Sequence, residues 1–207
     1  MQPENPATKA PAAPTLLFKL TSIVERLPLA DLFPRVQPLE VELGSGDGSF
    51  LVNYAHLHPE HNFLGIERLL GRLRKLDRKA QRAGLTNLRG LRIESSYLLE
   101  FLLPPASVSV LHLYFPYPWP KRKQRKHRLV NERFTHIAHQ ALAPGGIIYL
   151  RTDDQDYFAQ MVTVFAANPA FRLVETPADL SDLVTDFERD FRARGIPTLR
   201  AAYAKLG

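Results

Sequence analysis

The stretch VELGSGDGSF, residues 41–50, decides the fold that the sequence predicts. Its apolar beginning indicates a buried strand, the glycines Gly44, Gly46 and Gly48 indicate a turn, and apolar residues at helical spacing follow over residues 49–57. Glycines at such a turn let the backbone approach a ligand closely and adopt positive φ angles. The stretch therefore predicts a strand, a ligand-binding glycine loop (residues 44–48) and a helix.

Strands and helices continue to alternate along the rest of the chain. The predicted strands are 39–43, 62–66, 88–93, 108–115, 147–152, 171–175 and 198–205. The predicted helices are 16–32, broken at Pro28, then 49–57, 69–83, 129–142, 155–167 and 185–194. This order predicts an α/β fold with a mostly parallel, seven-stranded sheet and helices on both faces. Only a short helix and a turn precede the last strand, which indicates that this strand is antiparallel.

Length and composition indicate one domain. The chain has 207 residues, of which 45% are hydrophobic and 23% are charged, and no linker divides it. We expect a flexible Pro/Ala-rich tail at residues 1–15 and a single domain over 16–207. The absence of cysteine excludes disulfides and cysteine nucleophiles, and no apolar run is long enough to span a bilayer. We therefore expect a cytoplasmic protein without a membrane partner, either a monomer or a homodimer.

A second informative stretch, FPYPWPKRKQRKHR at residues 115–128, joins aromatic side chains to positive charge. Prolines fix the backbone around Tyr117 and Trp119, so these flat side chains can stack on a base at low entropic cost. The cations that follow are Lys121, Arg122, Lys123, Arg125, Lys126 and Arg128. They are typical of a segment that binds a phosphate backbone, and the net charge of +6 also favours a polyanionic partner.

Three acids accompany the glycine loop at the predicted carboxyl edge of the sheet. The glycine spacing differs from that of dinucleotide-binding loops, and no Gly-Lys-Ser/Thr follows, which excludes a P-loop. Glu42 would repel a pyrophosphate but can pair with an ammonium group, and Glu67, nineteen residues past Gly48, can accept both hydroxyls of a ribose. Glu94 can accept from an adenine amino group. The pattern resembles the S-adenosylmethionine site of class I methyltransferases, which have a Rossmann-like fold.

The whole combination resembles the bacterial tRNA (guanine-N7-)-methyltransferase family over about residues 38–205. The similarity rests on VELGSGDGSF, GIE, PWPKRKQRKHR, RTDD and the segment TDFERDFRARGIPTLR. It implies methylation of guanine N7 in the variable loop of tRNA, with S-adenosylmethionine as cofactor. The implied cofactor contacts are Glu42, Gly44, Gly46, Gly48, Glu67 and Glu94. The implied contacts to the substrate nucleotide are Lys121, Asp153, Thr185, Asp186, Phe187 and Glu188.

One position departs from that family. The family usually has a catalytic Asp between the two prolines of its Pro-Asp-Pro-Trp loop, and this sequence has Tyr117. Guanine N7 carries a lone pair and no proton, so its methylation needs alignment more than a general base. We therefore expect an active but weakened enzyme, with Tyr117 stacking on the base or donating a hydrogen bond to it.

Other functions stay open from the sequence alone. An exocyclic-amine methyltransferase would need an acceptor where Phe115 and Tyr117 stand, and an RNA-binding protein without catalysis would have no use for Glu42 and Glu67. An NAD-dependent oxidoreductase is disfavoured by the glycine spacing. The basic helix at 69–83 is either a solvated face or a second RNA-contacting strip.

We expect no bound metal. The histidines at 56, 58 and 61 surround a helix end that contains Pro59. The aspartates at 153, 154 and 156 stand where a helix begins, which favours capping and substrate contact over metal binding.

Overall fold

The computed structural model describes residues 14–207, which form one eight-stranded sheet flanked by helices. The strands are β1 Leu17–Phe18, β2 Leu39–Leu43, β3 Asn62–Ile66, β4 Leu88–Leu91, β5 Val108–Tyr114, β6 Leu142–Thr152, β7 Phe171–Val174 and β8 Leu199–Lys205. The α-helices are α1 Leu29–Leu32, α2 Ser49–Leu57, α3 Leu70–Arg82, α4 Ser95–Tyr97, α5 Glu132–Ala141, α6 Gln155–Ala166, α7 Ala178–Asp182 and α8 Asp186–Ala193. A π-helical turn, Leu98–Leu102, continues α4, and a 3₁₀ helix, Arg122–His127, follows β5.

The strand order is β1-β4-β3-β2-β5-β6-β8-β7. From β1 to β6 every neighbouring pair is parallel, whereas β8 pairs antiparallel with both β6 and β7. The chain therefore runs outward from β2 in one direction to β4 and then in the other direction from β5, as the predicted Rossmann-like α/β fold requires. The order reverses between β2 and β5, and ligands of such sheets bind at the carboxyl ends of the strands on either side of that point.

Apolar residues cover both faces of the sheet because successive side chains of a strand point to opposite sides. On one face, Val41 and Leu43 of β2 pack in a cluster with α5 and α6. On the other face, Phe63 of β3 packs with α2 and α3. The acids Glu40 and Glu42 alternate with the apolar residues of β2, so both lie buried on the second face. This face is the one that carries polar side chains toward the carboxyl edge.

The amino-terminal part differs from the prediction. Residues 16–32 were expected to be helical, but only Leu29–Leu32, directly after Pro28, is a helix. Leu17–Phe18 instead pairs with β4 and adds an eighth, edge strand to the seven predicted ones. The pairing depends on a contact with a strand more than seventy residues away, which local sequence does not report. Of the tail expected at 1–15, residues 1–13 lie outside the described part of the chain.

Candidate active site

The glycine loop is fixed to the end of the neighbouring strand. The backbone amides of Gly44 and Ser45 both donate to the carbonyl oxygen of Ile66 in β3, at 2.9 and 2.8 Å. Gly44, Gly46 and Gly48 adopt φ angles of 84°, 56° and 76°, where residues with a Cβ are strained. The three glycines thus shape a turn in which Gly44 and Gly46 expose backbone beside the carboxyl ends of β2 and β3, while Gly48 is buried against Leu76 of α3.

Asp47, at the tip of the loop, attaches the loop to α3. Its Oδ2 accepts a hydrogen bond from Lys79 Nζ at 2.8 Å, and its Oδ1 accepts from the Ser49 amide at 3.2 Å. Partial burial acts to raise the pKa of Asp47, but the Lys79 contact outweighs it and holds that pKa below its usual value. The loop is therefore held from both sides, by β3 and by α3.

Glu42 is a buried carboxylate without a full set of partners. Its side chain is 4% exposed, and neither its Oε2 nor the nearby Ser45 Oγ has a hydrogen-bond partner. Burial raises the pKa of Glu42 to about 8; Arg151 opposes the rise, and the charges of Asp47 and Glu67 add to it. An unpaired buried carboxylate is costly, so a cationic or hydrogen-bond-donating ligand group is the chemical complement of this position. The residues therefore fit the charged amino-acid portion of S-adenosylmethionine.

The two other acids stand at the next two strand ends. Glu67 follows β3 and is almost buried; its Oε1 accepts from the Leu69 amide at 2.8 Å, which fixes the carboxylate at the start of α3. Glu94 follows β4 and caps α4, because its two oxygens accept from the Ser96 and Tyr97 amides at 3.1 and 2.8 Å. Carboxylate oxygens have further lone pairs, so both acids keep acceptor capacity toward a ligand.

A pocket of about 430 Å³ opens between these strand ends and the loop after β5. Gly44 and Glu94 line one side of it, and Tyr117 and Trp119 line the other. The Tyr117 side chain is 66% exposed and meets Trp119 edge to face, with ring centroids 5.0 Å apart. The pocket thus joins Gly44 and Glu94 to the aromatic residues that the sequence singled out. The other predicted cofactor contacts do not line it: Glu42 and Glu67 are buried, and Gly46 and Gly48 border two neighbouring grooves.

The loop FPYPWP at 115–120, called the aromatic loop below, has an unusual backbone. Phe115 and Trp119 adopt φ angles of 50° and 47°, in a region that costs a non-glycine residue about 1–2 kcal/mol. The Phe115 amide donates to the carbonyl of Arg151 at 2.8 Å, and the Pro118 carbonyl accepts from Arg128 Nε at 2.7 Å. Such strain persists only where surrounding contacts enforce it, and it is most common at functional sites.

Arg128 corrects one sequence prediction. The side chain was expected to contact phosphate, but it is 2% exposed and lies behind the aromatic loop. Besides Pro118, its guanidinium donates to Gln160 Oε1 at 2.9 Å and to Asp156 Oδ2 at 2.6 Å, both in α6. Asp156 therefore pairs with Arg128 and takes no part in capping α6, which Asp154 caps through the Tyr157 amide. The basic segment that remains exposed is residues 121–126.

Thr185 and Glu188 are buried and have structural partners. Thr185 caps α8 and forms a capping box with Glu188, whose side chain accepts from the Thr185 amide at 3.0 Å. Glu188 also accepts from Arg151 at 2.8 Å and from Arg200 at 2.6 Å. These contacts outweigh the effect of burial and hold the pKa of Glu188 below its usual value. In this arrangement the two side chains fix α8 to β6 and β8 and do not face solvent.

The other four predicted substrate contacts face outward. Asp186 is exposed, and Phe187 is 50% exposed and borders a 260 Å³ groove beside Gly46. Lys121 is exposed at the start of the 3₁₀ helix, and Asp153 is partly exposed directly after β6. The ring of Phe115 lies 6.2 Å from that of Phe187, which connects the aromatic loop to α8.

Sequence reasoning missed one buried charged side chain beside the site. Arg151 lies in β6, pairs with Glu188, and places its guanidinium 4.3 Å from the centre of the Tyr114 ring. Its signal was a cation in the otherwise apolar run IIYLRT. Arg68, which the sequence analysis assigned to the basic helix, also lines the pocket.

Two of the histidines near the end of α2 are hydrogen-bonded to acids. The His61 ring is hydrogen-bonded to the buried Glu40 and the His58 ring to Glu60, and nowhere in residues 14–207 do three His, Asp or Glu side chains form a group that could hold a metal. None of the helices in this part of the chain is long and apolar enough to cross a bilayer.

Comparison with known proteins identifies the family. A family model described as "Putative methyltransferase" matches residues 36–201. A tRNA (guanine-N(7)-)-methyltransferase of Myxococcus xanthus is 34% identical over 172 residues, covering 81% of this chain and 84% of that protein. The chain belongs to the family of the bacterial tRNA (guanine-N(7)-)-methyltransferases. The resemblance that the motifs indicated is thereby confirmed.

Two further relatives of the same name extend the comparison. The protein of Sodalis glossinidius is 37% identical over 74% of this chain, and that of Chromohalobacter salexigens is 40% identical over 73% of it. The chain spans 64% and 62% of the lengths of these two relatives, which is less than two thirds.

Solved structures confirm the fold class. The 16S rRNA methyltransferase KamB superimposes with a TM-score of 0.65 at 16% identity, covering 86% of this chain and 93% of that one. TrmN from Thermus thermophilus superimposes with a TM-score of 0.60 at 21% identity, covering 86% of this chain and 46% of that one. These likenesses show that the chain has the Rossmann-like methyltransferase fold that the sequence predicts.

Proposed function

We propose that the chain transfers a methyl group from S-adenosylmethionine to N7 of a guanine in the variable loop of tRNA, giving 7-methylguanosine. One observation carries this proposal: Gly44 of the glycine loop and Glu94 line the same pocket as Tyr117, Trp119 and Lys126. A cofactor and a nucleotide can therefore meet in that pocket. The names of the relatives, which specify guanine N7 and tRNA, support the choice of base and substrate.

The cofactor fits the acids at the strand ends. Glu42 would hold its ammonium group, Glu67 its ribose hydroxyls, and Glu94 the amino group of its adenine. Gly44 and Gly46 have open space where a Cβ would lie, so the cofactor can approach their backbone, whereas Gly48 packs against Leu76. S-adenosylmethionine supplies a methyl group already activated on a sulfonium. The protein then needs chiefly to bring the acceptor nitrogen into line and to exclude competing geometries.

Tyr117 and Trp119 would hold the guanine. Both rings border the pocket, and they already stand edge to face, so one ring can stack on the base while the other closes its edge. No proton leaves N7 when it is methylated, so the hydroxyl of Tyr117 has no proton to remove. Its role is to orient the base, either by stacking or by donating to an acceptor on it.

Substrate contacts divide into two groups. Lys121, Asp153, Asp186 and Phe187 are open to solvent and would contact the nucleotide or its neighbours. Thr185 and Glu188 would act through α8: their buried network holds the helix so that Asp186 and Phe187 face the groove beside the glycine loop. We also propose that the enzyme acts on tRNA in the cytoplasm.

The direct test is methyl transfer to unmodified tRNA. Purified protein is incubated with methyl-labelled S-adenosylmethionine, and the labelled nucleoside is identified and mapped. We expect 7-methylguanosine at one position in the variable loop. Label on an exocyclic amino group of a base would identify an exocyclic-amine methyltransferase instead. Binding of cofactor and tRNA without any transfer would identify an RNA-binding protein that has lost catalysis.

A second test concerns Tyr117. If the family Asp contributes electrostatic stabilisation of the cationic product, Tyr117→Asp should transfer methyl groups about tenfold faster or more, since one well-placed charge is worth a few kcal/mol. Tyr117→Phe separates stacking from hydrogen bonding: retained activity in this variant assigns Tyr117 to stacking. No transfer by the wild type together with activity in Tyr117→Asp would contradict the proposal that Tyr117 supports catalysis.

A further inference from the structure

Positive charge is concentrated in two segments of the chain. Residues 68–82 contain seven Lys or Arg and one acid, Asp77, for a net charge of +6. Residues 121–128 contain six Lys or Arg and no acid, for another +6. Since the whole chain has a net charge of +6, the remaining residues together carry −6. The basic character of the protein therefore comes from two segments of the chain. In the second segment Arg128 is buried, and Arg125 and Arg128 both pair with Asp156.

The first of these segments is α3 and the residues before it. Leu73, Leu76 and Ala80 are buried against the sheet, so the cations occupy the other sides of the helix. They are Arg68, Arg72, Arg74, Lys75, Arg78, Lys79 and Arg82. Within residues 14–207 only Lys79 of this set has an acid within 4.0 Å, and the other six side chains are exposed. We call these six the α3 ridge.

The α3 ridge is not arranged like an ordinary solvated helix face. Solvated faces usually alternate acids and bases at i, i+4 spacing, which stabilises the helix. Here Arg74, Arg78 and Arg82 follow one another at that spacing, and like charges so placed repel. A polyanion bound along the helix would remove this repulsion.

The α3 ridge begins at the pocket. Arg68 follows β3 and lines the pocket, and Lys126 of the basic segment follows β5 and lines the same pocket from the other side. Because β2 lies between β3 and β5 in the sheet, the two basic surfaces lie on opposite sides of the glycine loop. From Arg68 the ridge continues along α3 for about 20 Å, at about 1.5 Å per residue.

We propose that the α3 ridge is a second surface for the phosphate backbone of the tRNA, beyond the basic segment. The inference rests on the proposed function. With the target nucleotide in the pocket, the basic segment binds phosphates on one side of it and the α3 ridge binds phosphates on the other. Contacts to phosphate add affinity and fix orientation but do not read sequence. The ridge thus favours the folded tRNA over a short oligonucleotide that ends near the target.

The test removes two charges from the middle of the ridge. Arg74→Gln with Arg78→Gln keeps helix propensity, since Gln and Arg are similar helix formers, and neither side chain has a hydrogen-bond partner in the described structure to lose. The matched control is Arg35→Gln with Arg172→Gln, two exposed cations before β2 and in β7 whose side chains likewise have no hydrogen-bond partner in the described structure. Affinity for fluorescent tRNA is measured by polarisation as a function of salt.

Each lost phosphate contact should reduce the slope of log affinity against log salt by about 0.7–0.9. For two contacts, raising the salt from about 50 to about 200 mM should therefore weaken the ridge variant roughly 7- to 12-fold less than the wild type or the control. The slopes for a stem-loop covering only the target region should be the same in all three proteins, because it does not reach the ridge.

Two outcomes overturn the inference: equal salt slopes for the ridge variant and the control, or no binding of tRNA by the wild type at the lower salt. Neither depends on turnover. A wild type that binds tRNA with the expected difference in slopes but transfers no methyl group contradicts the proposed function and leaves the α3 ridge standing.

Discussion

Replacing Glu42 by Gln keeps the size of the side chain and removes its charge. In the folded protein burial raises the pKa of Glu42 to about 8, whereas a glutamate in an unfolded chain has a pKa of about 4.3. Between these values the folded state keeps a proton that the unfolded state has released, so the wild type loses stability as the pH rises. The Gln variant lacks this dependence.

The size of this pH dependence follows from the difference between the two pKa values of Glu42. Each pH unit between the two pKa values costs about 1.4 kcal/mol of unfolding free energy, so the full interval amounts to about 3–5 kcal/mol. We expect Glu42→Gln to have the stability of the wild type near pH 5 and to exceed it by about that amount near pH 8. Urea unfolding at the two pH values measures this, with the exposed Glu175→Gln as control. A difference between Glu42→Gln and wild type that is the same at both pH values would refute the reasoning.

The same group predicts a proton linked to cofactor binding. Glu42 must ionise to pair with an ammonium group, so binding below pH 8 should release close to one proton per cofactor. The affinity should then fall about tenfold for each pH unit below 8. Calorimetry in two buffers of different ionisation enthalpy counts the proton. Glu42→Gln should bind more weakly and release none, and equal proton release by the variant would show that another group is responsible.

Three further predictions concern the framework of the site. Gly48→Ala should destabilise the protein by about 2–4 kcal/mol, because the φ of Gly48 is 76° and a Cβ there would lie 2.7 Å from a leucine side-chain carbon. Gly46→Ala should cost about 1 kcal/mol, because a Cβ there meets no atom within 4 Å. Midpoints of urea unfolding compare the two variants. Arg128→Lys cannot keep all three hydrogen bonds of the guanidinium, so methyl transfer should fall about 10- to 100-fold. The exposed Arg122→Lys, as control, should transfer at the wild-type rate. Equal rates for the two variants would contradict the role of Arg128 in anchoring the aromatic loop. Glu188→Gln leaves two arginines without their buried counter-ion and should cost about 3–5 kcal/mol of unfolding free energy; a loss under about 1 kcal/mol would show that the network is dispensable.

The sequence predicts the central sheet well because its signals are local. The strands 39–43 and 62–66 have the predicted ends, since each is rich in apolar residues and is followed directly by a glycine or a charged residue. The antiparallel direction of β8 was also predicted, although the chain between Val174 and Leu199 forms two helices, α7 and α8, where the sequence predicted one. The placing of the three acids along one edge of the sheet was predictable for the same reason, since the carboxyl ends of parallel strands share one edge.

What the sequence does not report is which charges are buried. Arg128 stands in a run of cations and cannot be told from its neighbours in the sequence. In the fold, one acceptor from the aromatic loop and two from α6 surround its guanidinium. Glu188 likewise belongs to an acidic and basic helix, and its burial depends on Arg151 and Arg200 from two separate strands. Both outcomes are set by tertiary contacts, as is the pairing of Leu17–Phe18 with β4.

The attachment of α8 has a consequence for exchanging parts between relatives. Its outer side presents Asp186 and Phe187, while its inner carboxylate, Glu188, is joined to arginines of two sheet strands. A transplanted helix without a carboxylate at position 188 would leave both arginines without their buried counter-ion and would lose its orientation. Chimeras that alter substrate preference through α8 should therefore move positions 151, 185–188 and 200 as one unit.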